Sequence, residues 1–421
     1  MSDDETTAMD QFSAHLDRGW DLVSRGDFPA ALVSAEKSLE LQADAPEAHY
    51  LLGYVRQCEG HAEEAIDHYR QALELDEGFF EAMLYAADLL IHDLGDPTEA
   101  LSFLDDAEEY AETDDEIADV LLLRREALHA LGRGDEADRL ATALPTGPFE
   151  NPGIAYAVAE VLLDRGRTDE AEERLREALR LDGQFADAHH LLGIILDNRG
   201  AHREATVSFL QARDLDLVST PPRWSMEPAR FEQRVQASIA RLPSATQAAL
   251  DGALVHVGDL PGAEVVADGV DPRVEVLAEL VTVDDEPDDA LPGPEEAGPE
   301  NAESEQVVDG APAPGVELAA GRVRVGRLFV YQRNVERNAV GQSEVEAVLG
   351  QALEQEIARV TDHIRAHEAD VAARGDAAGT GRDRHRGAAR TEPSGPEGGS
   401  SRPATPTPAE PPPPSDVTHR R

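Results

Sequence analysis

Glu356 and Arg359 stand three residues apart, and His363 and His367 four apart, in a stretch whose apolar residues recur at helical spacing. Such spacings place side chains on one helical face. Glu356 with Arg359 fits an i,i+3 ion pair, whereas His363 with His367 could chelate a metal from a single turn. Glu356 projects onto the histidines' face because seven and eleven residues are close to whole turns, but about 16 Å of helix separates the ends of that row. One ion cannot span it, so a metal site of this kind reduces to His363 and His367, and two solvated histidines near a helix end are the plainer expectation. The single cysteine, Cys58, fits a small packing residue better than a reactive thiol. The chain has no GxSxG, no phosphate loop ending in GK[ST], no paired-cysteine knuckle and no dinucleotide fingerprint. Adjacent carboxylates are frequent, but with 85 Asp and Glu they are expected by chance.

The helix that carries these groups is expected from Ser343 to about Ala372, with Val345, Val348, Leu349, Leu353, Ile357, Val360 and Ile364 on its buried side. Upstream, an amphipathic helix runs from Arg230 to Leu242-Pro243, and Ala253 to Val257 reads as a strand closed by the turn Gly258-Asp259-Leu260-Pro261. Arg322 to Tyr331 supplies further strand material.

In order and type, Phe231-Glu232, Leu242-Pro243, Val255-His256-Val257, Asp259-Leu260-Pro261, Leu328-Phe329-Val330-Tyr331 and the long helix resemble the small zincin-like metallopeptidase family of bacteria. The likeness covers about residues 228–362. It implies an α+β domain and aligns Ala352 to Arg359 with the family's HExxH helix, in which two histidines bind zinc and the glutamate deprotonates the metal-bound water. Glu356 alone matches. Gln355 and Arg359 occupy the ligand positions, and a neutral amide is a weak donor to zinc. At about 4 Å and an effective dielectric of about 20, a guanidinium and a dication repel by roughly 8 kcal/mol. That is comparable with the whole binding energy of a structural zinc. The inherited site is therefore expected to hold no metal and the domain to be catalytically silent. The alternative is a zinc-dependent peptidase that acts through Glu356 and a displaced metal. A third reading treats the likeness as accidental and the region as an α/β appendage.

The N-terminal half is organised by glycines. Gly26 and Gly60 are 34 residues apart, as are Gly132, Gly166 and Gly200, and Gly95 completes a series of six. Around them recur Leu52-Gly53, Ala65, Tyr69, Ala72 and Leu75 in one copy, and Leu192-Gly193, Ala205, Phe209, Ala212 and Leu215 in another. These residues resemble the tetratricopeptide repeat family, whose 34-residue unit is a helix pair with small residues where the helices touch. The resemblance implies an α-solenoid of about six repeats over residues 14–217 with a groove lined by the first helix of each pair. Thr113-Asp114-Asp115 and Pro145-Thr146-Gly147-Pro148 are expected to break the register around the fourth unit. Trp20, Tyr50, Tyr54, Tyr85, Tyr156 and His190 fall at groove-facing positions of the resembled family. Lysine, arginine and asparagine, which would hold a terminal carboxylate, are scarce there. The expected ligand is an apolar or aromatic protein segment, although some of these tyrosines could instead pack between repeats.

Composition narrows the function classes. Across 421 residues the formal net charge is −48, and the sequence pI is about 4.4, which argues against nucleic acid or an anionic membrane as partner. No apolar run reaches transmembrane length, the acidic start lacks a secretory pattern, and one cysteine cannot form an intramolecular disulfide, so a cytoplasmic setting is expected. Residues 284–309 hold eleven carboxylates and no Lys or Arg. They are expected to form a disordered insertion, placed at 284–315, within a zincin-like domain of 228–372. The Pro-, Gly- and Arg-rich tail 373–421 is expected to be disordered too. Taken together, the sequence reads as an interaction adaptor without cofactor, zinc entering only under the peptidase alternative.

Overall fold

The computed structural model describes residues 3–283 and 322–382. The expected acidic insertion lies outside the described residues, as does the tail from residue 383 onward.

Twelve helices occupy the N-terminal half: α1 Asp3–Ser24, α2 Phe28–Leu41, α3 Pro46–Glu59, α4 Ala62–Leu75, α5 Phe80–His92, α6 Pro97–Tyr110, α7 Asp114–Ala130, α8 Gly134–Leu140, α9 Pro152–Asp164, α10 Thr168–Leu181, α11 Ala186–Asn198 and α12 His202–Val218. They pair in sequence order as A and B helices, and a glycine with positive φ stands between the members of each pair, at 26, 60, 95, 132, 166 and 200. At Gly60, φ is 82°, a left-handed conformation that a β-carbon disfavours, and the chain reverses there while the Gly60 N–H donates to the Gln57 carbonyl. Five residues after each glycine comes an alanine (31, 65, 100, 137, 171 and 205) that is essentially fully buried. Close helix approach is the cause. A Cβ on Gly193 would meet the Phe209 ring at 2.5 Å, and one on Gly53 would meet the Tyr69 ring at 2.6 Å.

The fourth pair departs from the expected irregularity in an informative way. Thr113 does not break the array. It forms a capping box with Glu116 and so starts α7 cleanly. The irregular part is α8, of only seven residues, followed by a loop that closes onto Phe149. Phe149 is buried, and its N–H donates to Glu177 Oε1 at 3.1 Å.

After the repeats come α13 Pro228–Arg241, α14 Ser244–Ala249, β1 Leu254–Gly258, α15 Ala263–Ala267, β2 Val276–Val283, β3 Arg322–Tyr331, α16 Gln332–Arg337 and α17 Val345–Arg382. The sheet order is β1-β3-β2, with β1 parallel and β2 antiparallel to β3. Sheet and helices share one core, in which Phe231 and Val235 of α13 meet Val276, Ala278, Leu328 and Val330 of the sheet and Val345, Leu349, Leu353, Ile357 and Val360 of α17. The last helix continues beyond Ala372 to Arg382, through residues expected to begin the tail. Repeats and module, up to Ile364, belong to one compact unit. Val266 of α15 is fully buried within the core of the last repeats, beside residues such as Leu192 and Phe209.

Candidate functional site

The A helices gather four of the six expected groove residues. Trp20 of α1 lies 5.4 Å from the rings of both Tyr50 and Tyr54 of α3, and Tyr85 of α5 lies 5.6 Å from Tyr50 and 5.4 Å from Tyr54. All four are half-buried. Edge-to-face and tilted contacts at these distances are attractive and fix the rings. Beneath them Tyr69, fully buried, donates its hydroxyl to Gln57 Oε1 at 2.7 Å, and Gln57 in turn donates to Asp88 at 3.2 Å. Burial pushes these phenols up, helped by Tyr85 at Tyr50 and by Cys58 at Tyr54, while at Tyr85 the bond to Tyr50 works the other way and Asp88 adds to the rise, so the cluster stays neutral. Cys58 lies beside it. Burial pushes its thiol up as well, against a hydrogen bond to Tyr54 that works the other way, so no activated thiolate is built here.

Carboxylates flank the aromatic patch. The charge of Asp119 of α7 acts on Tyr85, and burial, then Asp115 and Glu116, push the Asp119 carboxyl up to about 6. Asp88 is raised chiefly by burial, and His92 bridges it to Glu126. Neither the sequence period nor the family likeness singled out Asp119, because in so acidic a chain one aspartate carries no signal.

Tyr156 and His190 belong to a different neighbourhood. Tyr156 of α9 packs on Phe185 and donates to Glu160 at 3.0 Å. His190 of α11 is not open to a partner, because its Nε2 is 2.8 Å from Asp271, in the segment between α15 and β2. The same segment sends Arg273 onto two repeat carboxylates, at 2.7 Å from Asp187 and 2.9 Å from Asp216. Arg337 of α16 also reaches Asp216, at 2.5 Å, and Arg333 donates to the Asp216 carbonyl at 2.8 Å. Asp216 is 3% exposed, and these cations pair a carboxylate that has left water. Burial would lower Arg273, but the Asp216 and Asp187 carboxylates outweigh it and hold the guanidinium charged. Module and solenoid therefore meet at the last repeat, an arrangement for which the sequence gives no local pattern.

On α17, Glu356 and Arg359 form a two-pronged pair at 2.6 and 2.7 Å. Glu356 Oε1 also accepts the Ala278 N–H of β2 at 2.8 Å. Since β2 is an edge strand, Glu356 satisfies a backbone donor that would otherwise face away from the sheet. Gln355 and His363 are both exposed. The ring nitrogen Nε2 of His367 is buried without a hydrogen-bond partner among the described residues. No three His, Cys, Asp or Glu side chains come together as a metal cage among the described residues. Among the same residues no helix is long and apolar enough to cross a membrane.

Two models of the tetratricopeptide repeat match the chain, one at residues 46–79 and the other at 16–56 and 156–215. Among solved structures, the chain is similar to pilF of Pseudomonas aeruginosa, at 20% identity over 51% of this chain and 95% of that one, with a TM-score of 0.41. It is also similar to a thermophilic TPR protein of Thermus thermophilus, at 24% identity over 44% and 98% of the two chains, TM-score 0.36. A MamA fragment from Desulfovibrio magneticus aligns at 15% identity over 49% and 96%, TM-score 0.27. No curated protein matches the sequence. With the repeat models falling on helix pairs joined by left-handed glycines, the N-terminal region of this chain is built of tetratricopeptide repeats.

Proposed function

We propose that the protein is an interaction adaptor or scaffold, whose repeats hold a protein segment with apolar or aromatic character and whose α/β module is a catalytically silent relative of zincin-like peptidases. The observation that carries the first part is the half-buried cluster of Trp20, Tyr50, Tyr54 and Tyr85 on adjacent A helices. Rigid aromatic anchors of this kind concentrate binding energy. The second part rests on Glu356, whose carboxylate accepts from both Arg359 and the Ala278 N–H. In this reading the module's role is structural, as a cap over the apolar end of the last repeat, where solenoids need a terminal cover. A cytoplasmic setting, without nucleic acid or membrane as partner, belongs to the same reading and rests on the net charge of −48 and the single cysteine.

Crosslinking and co-purification of the full-length protein test the groove. Partners recovered with the wild type are expected to be lost with Trp20→Ala or Tyr54→Ala, and a partner list untouched by both substitutions would sink it. For the module, wild-type protein is expected to purify without stoichiometric zinc, and Gln355→His with Arg359→His is expected to gain zinc binding. Stoichiometric zinc in the wild type would favour the peptidase alternative through Glu356.

A further inference from the structure

The last repeat displays its own ligand. Arg273 leaves the module and places its guanidinium 2.7 Å from Asp187 of α11, close enough to Tyr156 of α9 for its charge to act on that hydroxyl. The seat is thus a carboxylate on one A helix with a tyrosine on the preceding A helix. Asp187 stands thirteen residues before the left-handed Gly200, and Asp119 stands thirteen before the left-handed Gly132. The A helix before Asp119 carries Tyr85 of α5 at the position Tyr156 holds on α9, ten residues before the left-handed glycine of its pair, and the Asp119 charge acts on its phenol. Two repeats therefore present the same carboxylate and tyrosine arrangement. In one the cation is supplied by the chain, and in the other no ion pair reaches Asp119 among the described residues. Tyr85 also belongs to the aromatic patch of Trp20, Tyr50 and Tyr54.

We propose that the A-helix face from α1 to α7 takes a protein segment carrying an arginine beside an aromatic or apolar residue, Asp119 seating the guanidinium in the neighbourhood of Tyr85 as Asp187 seats Arg273 in the neighbourhood of Tyr156. This rests on the adaptor reading and adds the charge of the partner to it. A guanidinium offers a planar fork of donors to the carboxylate. The apolar neighbour then fills the space among the aromatic rings. An acidic segment is disfavoured at the same seat by repulsion from Asp119, Asp115 and Glu116, which lie together on α7.

The test uses labelled full-length protein on an array of short peptides that pair arginine, citrulline or glutamate with tryptophan, leucine or serine. Citrulline keeps the shape of arginine without its charge. Peptides with arginine beside tryptophan or leucine are expected to retain about tenfold more protein than their citrulline counterparts, the factor that one charge-assisted contact supplies. Asp119→Asn is expected to bring that ratio to about one, Asp119→Glu to keep it, and Tyr54→Ala to weaken the tryptophan and leucine peptides regardless of charge. If arginine and citrulline peptides bind alike, or if Asp119→Asn leaves their ratio unchanged, the cation seat is wrong. Continued dependence on Tyr54 would then leave the groove itself standing. Binding that ignores Tyr54 and Trp20 altogether overturns both. Thermal melts of each variant separate loss of the seat from loss of the fold.

Discussion

The two ends of the A-helix face carry the same chemistry in opposite states. At the distal end Asp187 and the nearly inaccessible Asp216 share Arg273 and Arg337, so their negative charge is compensated. At the proximal end Asp119 keeps similar company without a cation, and burial, then Asp115 and Glu116, raise its carboxyl to about 6. A carboxylate taken from water must be paired or its proton is held more tightly. The comparison therefore separates carboxylates that hold the molecule together from one that is left strained by charge. It also divides the expected groove residues into two neighbourhoods. His190 stands where the module bonds to the repeats and Tyr156 lies near it, whereas Trp20, Tyr50, Tyr54 and Tyr85 contact one another on α1, α3 and α5.

The largest effect is expected at the occupied end. Arg273→Ala removes the cation that bridges Asp187 and Asp216 and leaves Asp216 to Arg337 alone. Breaking a buried pair from one side costs about 3 kcal/mol. For a compact unit of this size that corresponds to a fall in Tm of roughly 4 °C. Urea denaturation should recover part of the loss when Asp216→Asn is added, because the uncompensated charge disappears with it. A loss below about 1 kcal/mol in the single variant would mean that the junction is held by Val266 and the α12 contact instead, and the contrast between the two ends would lose its energetic content.

A smaller effect is expected from His190→Ala, which removes a hydrogen bond to Asp271 at 2.8 Å. Burial alone would raise the Asp271 carboxyl, but His190 and Arg273 outweigh it and hold it below its ordinary value. A depressed carboxylate contributes stability that is present above its unfolded pKa of about 3.9 and is lost as the pH falls through the folded value. His190→Ala should therefore cost about 1 to 1.5 kcal/mol near neutrality, and the gap from the wild type should close below about pH 4. A gap that persists undiminished in acid would assign the effect to ring packing on Phe209.

The repeats were legible because their determinants are local. A glycine and an alanine five residues apart, repeated every 34 to 37 residues, define each helix pair before any distant contact is known. The module is not of that kind. Val276 to Val283 is a run suited to a strand, yet it borders the acidic stretch and becomes β2 through its pairing with β3, whose partner residues lie far along the chain. The junction is less legible still, since Arg273 and Asp216 are 57 residues apart and neither sits in a motif. Glu356 is an instructive intermediate. Its spacing from Arg359 predicts the ion pair, but the hydrogen bond to the Ala278 N–H depends on where an edge strand falls against α17. In the groove, the aromatic residues stand out because such residues are rare in this chain, while Asp119 is hidden among 85 acidic ones.

That hidden aspartate gives the smallest and most diagnostic effect. A carboxyl whose folded pKa is raised binds its proton more tightly in the folded state, so its contribution to stability is greatest below the unfolded pKa of about 3.9 and is lost as the pH rises. For Asp119 the loss is complete above about 6. Asp119→Asn removes the charge while keeping the shape, and the amide still bears a desolvation cost, so the expected gain at neutral pH is about 1 kcal/mol or less, well short of what the full shift would imply. Below about pH 4 the variant and the wild type should melt together. The sign carries the argument, because removing Arg273 from the distal seat and removing the charge from the proximal seat move stability in opposite directions. Were Asp119→Asn to destabilise the protein at neutral pH, its carboxylate would have a compensating partner in solution, and the proximal seat would resemble the distal one instead of contrasting with it.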